Sequence, residues 1–184
     1  MPSTRGAVRD ACIAKTTAEL DGLAERGVRS GGNAFSSILV CKGELTPEEA
    51  GGAEPFSGAD GHALQASLKA LGYAPEEWEW LLTCADSGAP LEPALVREAV
   101  AALDPATLVC CDEAAADAVR NAFVDDLAII ESFEEAALVP GYVARVCGMR
   151  VMNLGGFAAA LADPKAKQLM WARLKRLPPL GEPY

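Results

Sequence analysis

Few residues in this chain can do chemistry, and their placement is uneven. One histidine, His62, stands among 184 residues, so a catalytic zinc held by paired imidazoles is excluded. A Ser-His-Asp hydrolase finds no support either, because G-x-S-x-G is absent. The six cysteines (Cys12, Cys41, Cys84, Cys110, Cys111, Cys147) include one adjacent pair and no C-x-x-C, which leaves out metal-ribbon and iron–sulfur spacings. Most of those after Cys12 fall in apolar runs such as SSILVC and ATLVCC and are expected in the core. The remaining candidates are carboxylates. Glu44, Glu48, Glu49 and Glu54 crowd the Gly- and Pro-rich stretch Lys42 to Gly58, where a carboxylate can serve as general acid or base or simply be solvated. Beyond it, Trp78 and Trp80 alternate on one face of an apolar run, a spacing that suits a core and also suits stacking.

The apolar pattern says which elements hold these residues. Gly6 to Arg26 carries a helical stripe (Val8, Cys12, Ile13, Leu20, Leu23) that Gly27 stops, and the pair Gly31 and Gly32 separates it from the strand Ser36 to Cys41. Helices are predicted over Ala59 to Leu71, ended by Gly72, and over Pro93 to Leu103, ended by Asp104-Pro105. Strands are predicted at Glu77 to Ala85 and Thr107 to Cys111, and Asp112 is placed to cap the helix EAAADAVRNAF. Residues 124–140 read as a short strand and a helical turn, Tyr142 to Leu154 as a strand or strand pair, and Pro164 to Leu177 as an amphipathic helix. Such alternation predicts an α/β fold with a parallel sheet covered on both faces and ligands at the carboxyl ends of the strands. The stretch Lys42 to Gly58 sits at such an end. One domain over 1–184 is expected, with 1–30 its N-terminal helix and 164–177 its C-terminal helix; 51% hydrophobic residues suffice for one core.

Charge restricts the partners. Lys plus Arg number 16 and Asp plus Glu 26, a net charge of -10, the wrong sign for a protein that works by neutralising phosphates. From Gly43 to Ala137 twenty acidic residues face three basic ones, Lys69, Arg97 and Arg120. Basic residues gather instead at Arg145 and Arg150 and along the last helix, at Lys165, Lys167, Arg173, Lys175 and Arg176. With no apolar run of about 18 residues and a polar start, the chain is expected to be soluble and cytoplasmic, with free thiols and no membrane partner, metal or cofactor.

Three blocks resemble the uracil-DNA glycosylase superfamily, most nearly the prokaryotic branches with G-E-x-P-G and P-F-x-G-x-x-G motifs. They are ILVCKGELTPEEAGGAEPFSGADGHAL, LDPATLVCCDEAAADAV, and FAAALADPKAKQLMWARLKRL with its D-P-x-x-K-x-x-x-W-x-x-L pattern (Asp163, Pro164, Lys167, Trp171, Leu174). The resemblance implies a three-layer α/β/α fold with a short four-stranded parallel sheet, and excision of a flipped base from DNA. It makes Phe56 the ring beneath the base, Gly43 and Gly58 (with Gly61) the close-approach positions, and Glu44 the carboxylate that orients water or stabilises the sugar cation. Gly155, Gly156 and Phe157 fall on the DNA-probing loop.

The departures are equally specific. Pro47 lies three residues after Glu44 rather than two, and its following glycine is missing. The His-Pro histidine that donates to the departing base has no counterpart, leaving only backbone N–H groups of Gly155 and Gly156 to replace it. The base-reading asparagine after the second strand and the iron–sulfur cysteines are also gone. The expectation is a divergent relative with base excision weak or lost. The alternative is a non-catalytic acidic module that takes a basic protein or a small ligand on the same fold.

Overall fold

The computed structural model describes residues 4–181. Four strands, β2 (Ile38–Lys42), β3 (Glu79–Leu82), β4 (Thr107–Cys110) and β6 (Met149–Asn153), run parallel in the order β3-β2-β4-β6. Antiparallel strands close both edges, β1 (Ser30–Gly32) on β3 and β5 (Val143–Val146) on β6. The sheet therefore has six strands where four were expected.

Both additions have local causes. β1 is Ser-Gly-Gly, which reads as a linker, yet Gly31 lies against the Trp80 indole so closely that a Cβ would sit 2.5 Å from Cζ2. Only glycine lets that edge strand pair beneath the ring. β5 and β6 form a hairpin whose two connecting residues, Cys147 and Gly148, both have positive φ, the twist that matches paired strands.

Side chains alternate across the sheet into two cores. Leu39, Cys41, Leu81, Leu108, Cys110 and Val151 meet α4 (Pro93–Leu103), α5 (Glu113–Ala122) and the end of α1 (Thr4–Glu25). Ile38, Val40, Leu82, Val109 and Met152 meet α3 (Ala59–Leu71), α8 (Phe157–Ala160) and α9 (Pro164–Leu174). The result is a three-layer α/β/α arrangement, and burial on both faces explains why the strands read as unbroken apolar runs.

Two expectations are corrected. The α1 stripe reaches the core only at its end: Leu23 is buried and Leu20 packs beside it, but Val8 is 60% exposed and Ile13 38%. Residues 124–140 hold no strand; they form α6 (Val124–Ala128) and α7 (Phe133–Ala136), the latter capped by Ser132, whose Oγ accepts from Glu135 N–H. That apolar run misled because only Leu127 and Leu138 in it are buried, while Ile129 and Phe133 point to solvent. Cys41, Cys84, Cys110 and Cys111 are buried, Cys12 and Cys147 exposed, and all six are free thiols. Among the described residues no helix is long and apolar enough to cross a membrane, and no group of His, Cys, Asp and Glu could hold a metal ion.

Candidate functional site

The carboxyl ends of β2, β4 and β6 converge, and the loop leaving β2 is pinned there by Asp112. As the N-cap of α5, Asp112 accepts from Ala115 N–H at 2.8 Å. The same carboxylate also accepts from Gly43 N–H (3.1 and 3.0 Å) and Glu44 N–H (3.0 Å). Gly43 has to be glycine because a Cβ would lie 2.6 Å from Ala115 N. Asp112→Asn, which removes the charge and one acceptor, is expected to lower stability by about 1–2 kcal/mol in urea unfolding and to broaden the Gly43 and Glu44 amide signals.

One residue earlier, Lys42 turns inward. It is 3% exposed, and its Nζ donates to Glu49 Oε1 at 2.7 Å and Asp60 Oδ2 at 2.5 Å. Burial alone would lower its pKa; the hydrogen bonds to Asp60 and Glu49 outweigh that and raise it, so the ammonium stays charged. Glu49 belongs to α2 (Pro47–Ala50), where it completes a capping box with Thr46 and accepts from Phe56 N–H at 2.9 Å. The extra residue between Glu44 and Pro47 thus forms the entry to a short helix whose glutamate fastens the far end of the loop.

Phe56 sits on this fastening with φ 61°, a conformation a phenylalanine adopts only under constraint. Its carbonyl presses on α3, where a Cβ at Gly61 would lie 1.7 Å from the oxygen. The ring is 4% exposed, meets Trp78 edge-on at 5.6 Å, and has the Lys42 ammonium 4.8 Å from its centroid.

The glycine loop after β6 is fixed from beneath. Gly155 N–H donates to Asn153 Oδ1 at 2.8 Å, while Gly156 and Phe157 N–H both donate to Cys111 C=O, at 3.2 and 2.8 Å. The backbone substitute for the missing histidine is therefore corrected: these N–H groups are engaged within the fold. Asn153, fully buried, also donates to Glu113 Oε2 and Leu138 C=O, and Arg173 donates to Leu154 C=O from α9.

These elements enclose a pocket of about 140 Å³. Phe56, Lys42, Asp60, Asp112, Gly156 and Phe157 contribute to its wall, and Glu44 lines it as an exposed residue. Gly43 and Gly155 are outside the lining. Gly58 is outside as well: it is the N-cap of α3, and a Cβ there would meet only Asp60 Oδ1 at 3.6 Å, so no close approach requires it. His62 is exposed on α3 and lines a different cleft, with Trp78. No protein-family model and no curated protein sequence matches this chain. Sequence reasoning missed Lys42, Glu49, Asp60 and Asn153 as organisers of the site.

Proposed function

We propose that this chain is a divergent uracil-DNA-glycosylase-like protein that keeps a pocket for one base-sized ring and has lost most of its excision power. The reading rests chiefly on the donor inventory. In excision, negative charge develops on the leaving base, and a preorganised donor aimed at it contributes about 3–4 kcal/mol. Here the N–H groups of residues 155–157 are taken by Asn153 and Cys111. Lys42 is held by two carboxylates, and Asp112 is filled by backbone donors. Glu44 keeps a free carboxylate at the pocket, suited to a cation or a water but not to an anion. The volume of 140 Å³ accepts a single small ring and not a drug-sized ligand, which needs about 300–1,000 Å³.

Titrated uracil is expected to shift the Phe56 and Gly156 amide signals, and Phe56→Ala to abolish the effect. Single-turnover excision from single-stranded and mismatched uracil DNA is expected to be slow or undetectable. Fast cleavage abolished by Glu44→Gln would overturn the loss of excision, and no response to uracil would overturn the pocket.

The acidic-module reading draws support from the basic side chains. Arg173 and Arg176 donate to Leu154 and Gly141 carbonyls, and Arg150 is 5% exposed, bonded to Thr107, Tyr73 and Pro178. Arg150 is thus withdrawn from the surface, and Arg173 and Arg176 each give a donor to a backbone carbonyl, so fewer free donors face phosphate than the sequence implies. DNA affinity that falls with salt favours the glycosylase-like reading; none at low salt favours a module for a basic protein or small ligand.

A further inference from the structure

A second cleft, of about 610 Å³, opens at the β1 edge of the sheet, between the end of α1, β1 and residues 52–55. Glu79, the first residue of β3, lines it while being only 2% exposed. Its Oε2 is buried without a hydrogen-bond partner, the one side-chain nitrogen or oxygen among the described residues in that condition. An orphaned buried carboxyl costs stability, and one that faces a cleft is a candidate functional group.

The surroundings indicate what would satisfy it. Asp21 and Glu54 also line the cleft, and its one basic residue, Arg29, is already paired with Asp86 at 3.1 Å. On the Glu79 side of the sheet Leu20 and Val28, from the end of α1 and just after it, contribute an apolar wall, while Trp80, the next residue of β3, points to the opposite face and is covered by Gly31. Carboxylates beside an aliphatic wall suit a cation with a slim apolar stem.

We propose that this cleft binds a small organic cation, with a primary ammonium group seated on Glu79 and its carbon stem against Leu20 and Val28. The site lies apart from the base-sized pocket and does not depend on it.

Butylammonium chloride is the probe and butan-1-ol its uncharged counterpart, followed by amide signals of residues 28–32 and 79–81. Butylammonium is expected to produce a saturable shift, butan-1-ol none, and Glu79→Gln to weaken the cation by about tenfold or more. An equal response to the alcohol, an affinity unchanged in Glu79→Gln, or no saturable shift by about 50 mM butylammonium overturns the proposal. Amide dispersion of Glu79→Gln shows that the variant is folded, so lost binding reports the site.

Discussion

Lys42→Met is expected to lower the unfolding free energy by about 3–5 kcal/mol at neutral pH, the usual result of removing one partner from a buried ionic cluster. The methionine fills the space of the lysine stem but leaves Glu49 and Asp60, 4% and 8% or less exposed, without the cation between them. The loss also reaches the pocket. Glu49 Oε1 receives both Lys42 Nζ and Phe56 N–H, so freeing one bond loosens the positive-φ turn that presents the ring. Urea unfolding should show a lower midpoint with an unchanged slope. Adding Asp60→Asn should restore part of the stability, because it removes one uncompensated charge while Glu49 keeps its backbone donors at Thr46 and Phe56. A Lys42→Met protein within 1 kcal/mol of wild type, on the order of a surface pair, would mean that water reaches the cluster.

That cluster also shows where sequence reasoning stops. Helix α3 was legible to the residue, since its apolar spacing and the Gly72 stop are local signals, and so was the Asp112 cap. Asp112's second role was not, because its hydrogen bonds to Gly43 and Glu44 join residues nearly seventy positions apart. In the sequence Lys42 and Glu49 fall in the loop Lys42 to Gly58 and Asp60 in the helix that follows; only the folded chain reveals that the three meet beside Phe56. The glycine loop misled in the other direction. Gly155 and Gly156 carry free donors in the sequence, and the acceptors that occupy them, Asn153 Oδ1 and Cys111 C=O, come from the ends of two neighbouring strands. Backbone satisfaction is a tertiary property, so a chemistry that depends on an unpaired N–H cannot be read from a motif alone.

Glu79→Gln is expected to stabilise the protein, and to do so increasingly as the pH rises. Burial, with a smaller push from the Glu77 charge, lifts the Glu79 carboxyl from its ordinary 4.5 to about 8. Between those values the folded protein keeps a proton that the unfolded chain has released. Stability is then fully present below about 4.5 and falls as the pH climbs, by up to about 1.4 kcal/mol per unit, until the folded group ionises near 8. Full accumulation would approach about 4–5 kcal/mol; access to water along the cleft reduces the expected difference to about 2–3 kcal/mol. Glutamine has the same shape and no charge, so its curve lacks this component. Paired urea titrations should therefore coincide near pH 4.5 and separate by that amount near pH 8.5, with the variant on top. Subtracting the curves removes the carboxylates that do not feel the Glu79 charge. A difference that stays flat across this range would show that Glu79 is ionised throughout and already satisfied by solvent. A difference that grows as expected leaves a carboxyl that is neutral in the empty cleft and must release its proton to seat an ammonium, in a fold that would be more stable without it.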